Sequence, residues 1–218
     1  VTPESEMIGE IAVVNVWSYA LTDSEIKGLY LDRTGVIEPK MPEDPDVLRT
    51  VFDENGAYDA VSGDRLATHG NPKTEQKADG SYVGVFDGSS SFIFGDFHNF
   101  YSSLLSSITI ETYVRVDAFS GSYVDIVSNM HAGGFGFSAN SSGNLELWAH
   151  IGGGYRIPKT PMTTGEYMHL VGSYDGETVK LYVDGVLVSS VEYTGSIKFP
   201  SGTPNYLVIG GDSGPSTT

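Results

Sequence analysis

The chain has 218 residues, with 28 acidic against 12 basic side chains, a formal charge of −16 and no cysteine. That balance repels phosphate backbones and anionic bilayer surfaces, and the missing thiols exclude disulfides, thiolate metal sites and thiol catalysis. No apolar run approaches the ~20 residues that a bilayer-spanning helix needs. The 27 glycines, 10 prolines and 13 tyrosines suit short strands and frequent turns, and the length suits one large β-sandwich. The acidity is spread over loops and strand faces, as expected of a solubilising surface, with calcium affinity as the alternative use. A start at Val1 rather than Met is expected of a piece of a longer protein.

In chain order, residues 1–10 are polar, contain a proline and read as a loop. Ile11 to Trp17 reads as a strand, with Ala12, Val14 and Val16 toward the core and Val13, Asn15 and Trp17 away from it. Thr22 and Glu25 form a capping-box pattern that opens a short helix to about Tyr30. Residues 33–49 are rich in proline and acid, which favours an extended linker. A strand from Val47 to Phe52 precedes a polar loop over 61–79. Tyr82–Phe86 and Phe92–Phe94 read as a strand pair around Asp87-Gly88. Ile108–Val116 alternates, and Val124–Ser128, Gly134–Ser138 and Leu145–His150 continue the sheets. His169–Tyr174, Val179–Val183 and the run from Val186 are separated by Asp175-Gly176 and Asp184-Gly185, which predicts an antiparallel meander with type I′ turns. Residues 189–218 hold two more strands and a polar tail.

The stretch Tyr167-x-His169-Leu-Val-x-x-Tyr174-Asp175-Gly176, followed by Leu181-Tyr182-Val183-Asp184-Gly185, resembles the central hairpins of laminin G-like, concanavalin A-like jelly-roll domains. The likeness extends to Phe86-Asp87-Gly88-Ser89, Ile108 to Val114 and Leu207 to Asp212. It implies an all-β fold, a two-sheet antiparallel jelly-roll sandwich with one short helix near residues 22–30. Gly9 to Ile26 resembles the last strand and helix of that family, yet here they come first. The chain thus divides into residues 1–32 (final strand and helix), a linker over 33–49 and a main body over 50–218. A circular permutation and a tandem array cut out of phase both fit this order. Closure within one chain is expected, because every family element is already present, and exchange of residues 1–32 between chains is the alternative.

Catalytic patterns are missing. No ExDxxE run supplies the carboxylate pair, ~5 Å apart, that a retaining glycosidase needs; Glu111 to Asp117 and Asn144-Leu-Glu146 fail the spacing. His69, His98, His131, His150 and His169 form no HExxH pattern, and no GxSxG elbow occurs. The chain is therefore expected to be no enzyme. His169 falls in the hairpin framework and is expected to orient a turn.

Binding is suggested by alternation. In Leu145-Glu-Leu-Trp-Ala-His150 the leucines and alanine suit a core face, leaving Glu146, Trp148 and His150 opposite. If the family topology places this strand beside Ile108–Val116 and Ile11–Trp17, the outward set joins Asn15, Trp17, Glu111, Tyr113, Arg115, Glu146, Trp148 and His150 on one concave face. Aromatic rings stack on sugars while Asn, Glu, Arg and His bind hydroxyls. The competing reading is that a loop or a neighbouring domain covers these aromatics. Tyr155, after Gly152-Gly-Gly154, could close over a glycan or simply end a hairpin. The resemblance also implies one structural calcium, for which Asp53, Asp64, Asp87 and Asp212 are the candidate ligands, although Ala12 and Val13 stand where the family carries an acidic pair. Asn140-Ser-Ser142 is a formal glycosylation sequon. The expected function is non-catalytic carbohydrate binding by a module of a larger extracellular or cell-surface protein, with glycan as partner and neither nucleic acid nor membrane insertion. The alternatives are a structural or protein-interaction repeat of an adhesin and, less favoured, a polysaccharide-cleaving jelly-roll enzyme.

Overall fold

A computed structural model describes residues 6–33, 35, 42–95, 104–119, 121–131, 133–199 and 206–212. The start of the N-terminal loop, residues 34 and 36–41 of the proline-rich linker, His98 and the C-terminal tail lie outside the described residues. The described strands are β1 (Met7–Trp17), β2 (Leu48–Asp53), β3 (Gly56–Asp59), β4 (Ala67–His69), β5 (Lys73–Gln76), β6 (Tyr82–Asp87) and β7 (Ser91–Phe94). There follow β8 (Ile108–Phe119), β9 (Tyr123–Ser128), β10 (Phe135–Asn140), β11 (Asn144–Ile151), β12 (Gly154–Arg156) and β13 (Lys159–Pro161). The last are β14 (Tyr167–Tyr174), β15 (Thr178–Val183), β16 (Val186–Glu192) and β17 (Leu207–Ile209), and one helix, α1 (Asp23–Arg33), follows β1.

The strands form two sheets. The first runs β16-β15-β14-β8-β1-β2-β3, with β6 also on β1 and β5 on β6. The second runs β12-β11-β10-β9-β17-β7-β4, with β13 on β11. The expected all-β antiparallel sandwich holds. Its core is a single cluster drawn from both inner faces, including Ile11, Val14, Ile110, Val114, Phe137, Leu147, Leu170 and Leu181.

The N-terminal strand is central to the first sheet. β1 pairs antiparallel with β8 from Met7 to Trp17; its other side meets β6 at Ile8–Ile11 and β2 at Asn15–Val16. The predicted alternation of β1 needs correction, because Ala12 has no partner on β8: Ile11 faces Val114 and Val13 faces Tyr113. This bulge inserts one residue and changes the phase. Met7 and Ile11 point into the core before it and Val14 and Val16 after it, whereas Ala12 is only partly buried.

Other differences have local causes. Tyr82–Phe86 and Phe92–Phe94 are not a pair: β6 lies in the first sheet and β7 in the second, so the Asp87–Ser90 connection crosses the sandwich. Asp87 Oδ1 accepts hydrogen bonds from Ser89 N (3.0 Å), Ser89 Oγ (2.8 Å) and Ser90 Oγ (3.2 Å), which hold that crossing in a compact turn. The polar stretch 61–79 supplies edge strands β4 and β5, whose hydrogen bonds to β7 and β6 override their polar sequences. Asp184 and Gly185 take φ values of 52° and 73°, and Val183 pairs with Val186, as a type I′ turn requires. Asp175-Gly176 is wider. Tyr174 pairs with Val179, and Asp175 Oδ1 accepts from Glu177 N (3.0 Å) and Thr178 N (2.8 Å). The helix begins as predicted, with Thr22 N donating to Glu25 Oε2 at 2.8 Å, and runs past Tyr30 to Arg33.

Candidate functional site

The residues expected on one face are divided between two. Asn15, Trp17, Glu111, Tyr113 and Arg115 lie on β1 and β8 in the first sheet, whereas Glu146, Trp148, His150 and Tyr155 lie on β11 and β12 in the second. Outward alternation holds for Asn15 and Trp17 beyond the Ala12 bulge and along β8 and β11, but strand partnership is a long-range property that alternation does not encode.

On the first sheet, α1 covers the outward side chains. Trp17 is 1% exposed and packs with Leu21, Ile26, Leu29, Val171 and Tyr182, while its Nε1–H donates to the Glu43 carbonyl at 2.9 Å. Tyr182 ties the helix down by donating to Asp23 Oδ1 at 2.7 Å. Beneath the helix C-terminus, the fully buried Glu111 accepts from Arg33 Nη2 (2.6 Å), Arg33 Nε (3.0 Å) and His169 Nε2 (2.9 Å) at one oxygen. Asn15 Nδ2 donates to the other oxygen at 2.7 Å. Burial raises the Glu111 pKa, but the hydrogen bond from His169 and the Arg33 charge outweigh it and bring it down to about 2. Glu111 and Trp17 are thus closed off from a ligand by the helix above them, and the partly buried Asn15 is engaged with Glu111, a correction to their expected place on a binding face.

His169 has the framework role expected of it. Its N–H donates to Asp184 Oδ1 at 3.0 Å and its carbonyl accepts from Asp184 N at 2.8 Å, which fixes the β15–β16 turn, while its ring stacks on Tyr30. Tyr113 stacks on Tyr167 with centroids 5.0 Å apart. Arg115 pairs with Asp117 (2.7 Å) and Glu10 (2.9 Å), and Lys77 completes the group by pairing with Glu10 at 2.9 Å. These side chains are already engaged with one another.

The second sheet presents an open cleft of about 210 Å³ lined by Tyr123, Asp125, Met130, Ser138, Trp148 and Tyr155. Its walls follow from alternation in three adjacent strands. Val124, Phe137 and Leu147 point into the core, so Tyr123 and Asp125 on β9, Ser138 on β10 and Trp148 on β11 point out. Opposite Trp148 stands Gly136, which leaves no side chain on that flank of the indole; a Cβ there would lie 2.3 Å from the Val127 carbonyl oxygen. The β11–β12 connection is a tight hairpin, with Ile151 paired to Gly154 and φ of 62° and 84° at Gly152 and Gly153. Tyr155 is therefore a fixed wall of the cleft.

Hydrogen bonds hold the rings. The Trp148 Nε1–H donates to Glu146 Oε2 at 3.0 Å, and Asn140 Nδ2 donates to Glu146 Oε1 at 2.9 Å. The Tyr155 hydroxyl contacts the Met130 carbonyl (2.6 Å) and the Gly133 carbonyl (2.9 Å), and accepts from Gly133 N at 3.0 Å. Tyr123 meets the indole edge-on at 6.2 Å and 83°, and Tyr155 does so at 5.1 Å and 73°. His150 packs behind Tyr155 at 4.9 Å, and burial lowers its pKa, with Lys198 and Arg156 adding to the shift. Glu146 and His150 thus support the aromatic walls. At the floor, burial first and the Asp212 carboxylate second push the Asp125 pKa up to about 7, against the lowering effect of hydrogen bonds from Ser138 and Ser128.

Sequence reasoning missed Tyr123, Asp125, Met130 and Ser138. The signal for the first two was present as alternation in Tyr123-Val-Asp-Ile126; joining them to Trp148 needed the β9–β10–β11 register. Asn140 of the sequon is 8% exposed and committed to Glu146.

The carboxylates named for calcium have different local partners. Asp53 is gripped by Arg65 through paired bonds of 2.7 and 2.6 Å, and the hydrogen bond from that arginine lowers its pKa. Asp64 sits beyond the β2–β3 hairpin, where its carbonyl accepts from Asp59 N at 2.9 Å. Asp87 closes its own turn. It shares with Asp212 the neighbourhood of Glu6, whose pKa burial raises, with both carboxylates adding to the rise. Among the described residues no three acidic or histidine side chains form a group that could hold a metal ion.

A comparison with curated proteins gave no match. The laminin G-type family model, described as the concanavalin A-like lectin/glucanases superfamily, matches residues 86–218. The matched region begins at the end of β6 and includes β8 to β17, hence the whole of the cleft. With more than half of its length matched, and with its two antiparallel sheets, this chain belongs to the laminin G-like members of the concanavalin A-like superfamily.

Proposed function

We propose that this chain is a non-catalytic carbohydrate-binding module of a larger extracellular or cell-surface protein, and that glycan binds in the Tyr123–Trp148–Tyr155 cleft. The observation that carries this reading is a half-buried tryptophan held by Glu146, flanked by two tyrosines and lining a cleft on the outer face of the second sheet. Such rings present apolar surface to the C–H face of a sugar, and Asp125 and Ser138 add polar side chains to the lining beside them. The family includes lectins and glucanases by description, and it supports a carbohydrate-binding or adhesion-type domain in general. No helix among the described residues is long and apolar enough to cross a membrane.

A glycan array on the purified chain, run with calcium and with EDTA, tests the proposal. Hits lost in Trp148→Ala and indifferent to EDTA support the cleft. Hits abolished by EDTA move the site to a metal, and turnover of any bound polysaccharide replaces the module reading with a glucanase-like one.

A second reading, a protein-interaction repeat, is favoured by β16 at the edge of the first sheet, where Val186, Leu187 and Val188 are 62%, 45% and 41% exposed. Exposed edge strands with apolar side chains are templates for strand addition. Concentration-dependent sedimentation, abolished by Leu187→Lys, together with a silent array, would favour it.

A further inference from the structure

The cleft differs from a flat stacking platform in two respects. Its tyrosine rings stand nearly perpendicular to the indole, at 83° and 73°, so the walls surround a compact volume. Its floor also carries a buried carboxylate, Asp125, 9% exposed. We propose that this cleft receives a cationic nitrogen, so that its favoured glycans carry ammonium groups, either as free amino sugars or as alkylammonium substituents. The inference rests on the reading of the same cleft as a glycan site and names the chemistry that selects the glycan.

The physical argument has three parts. Aromatic faces are electron-rich and attract a cation within ~6 Å of the ring centroid, and the attraction grows when the cation is desolvated. A buried carboxylate is costly unless a partner compensates its charge, and no lysine or arginine stands among the described lining residues. An incoming ammonium supplies that partner, with the chain's charge of −16 drawing it in. Finally, the walls are set before the ligand arrives. Trp148 is fixed through Glu146 and Tyr155 through the Met130 and Gly133 carbonyls, so little rotamer freedom is lost on binding. A neutral N-acetylated sugar could lie against the indole but would leave Asp125 without a counter-charge.

Isothermal titration of the whole chain with a glucosamine oligomer, its fully N-acetylated counterpart and tetramethylammonium tests this. The free-amine oligomer is expected to bind about tenfold or more tightly than the acetylated one. Asp125→Asn, nearly isosteric, is expected to remove that preference. Tyr123→Ala removes one wall at a position 43% exposed, so the test stands even if the buried variant fails to fold. Tetramethylammonium binding with neither oligomer binding keeps the cation site and assigns it to alkylammonium groups. Equal binding of both oligomers, or a preference surviving both variants, overturns the cation site while leaving the glycan reading in place. No binding of any probe, with a silent array, removes both.

Discussion

The outer faces of the two sheets use the same kinds of residue to opposite ends. On the first, Trp17, Glu111 and His169 stand outward from β1, β8 and β14; on the second, Trp148, Glu146 and His150 stand outward from β11. Both glutamates accept hydrogen bonds from neighbouring side chains, Glu111 from Arg33, His169 and Asn15 and Glu146 from Trp148 and Asn140. The difference is α1, which lies over the first face and seals Trp17 and Glu111 within it. Under the helix this polar–aromatic mixture becomes a structural lock. On the second face, where no helix of the described residues packs, Glu146 and His150 back the aromatic rings that line a cleft.

The largest expected effect lies on the covered face. Glu111→Ala strands Arg33 and His169 without their shared acceptor and is expected to destabilise the fold by about 3–5 kcal/mol, read by urea unfolding. A loss under about 1 kcal/mol would mean that the helix does not depend on the lock. The same group gives a pH signature. Its folded pKa of about 2 lies below the ordinary 4.5, so its stabilisation is present above about 4.5 and is lost as pH falls toward 2. Glu111→Gln is expected to flatten that acid limb of the stability curve.

Asp125 on the open face has the opposite sign. Its folded pKa, pushed up from 3.8 to about 7, means that the folded state holds a proton the unfolded chain has released, so its contribution is lost as pH rises from about 4 through 7. Asp125→Asn is expected to raise stability above neutral pH by about 1–3 kcal/mol, because it removes a buried charge that the Ser138 and Ser128 hydrogen bonds only partly offset. Thermal melts of both chains across pH measure this, and no divergence above pH 7 would refute it.

Smaller effects on stability are expected at the rings. Trp148→Ala should cost about 1–2 kcal/mol, less than Glu111→Ala because the indole lies partly buried on an outer face, yet abolish glycan binding. Glu146→Gln turns one acceptor into a donor facing Asn140 or the indole N–H. It should weaken affinity by about 0.5–1.5 kcal/mol with the fold intact, as titration calorimetry would show. If Trp148→Ala unfolded the chain as Glu111→Ala is expected to, the contrast between the faces would collapse.

Short-range chemistry in the sequence determined a good deal. Glycine at Gly185 allowed the type I′ turn, Thr22 and Glu25 fixed the helix start, and period-two alternation in β8 and β11 identified which side chains leave the core. These features depend on neighbours along the chain or within one strand, so residue type and spacing suffice. The tertiary structure alone decided that β11 lies in the other sheet from β1 and β8, that a bulge at Ala12 changes the phase of β1, that α1 covers Trp17 and Glu111, and that Asp125 shares a cleft with Trp148. Each depends on which distant segments pair and pack, and alternation is identical whichever sheet a strand joins and whether its outer face is covered or open.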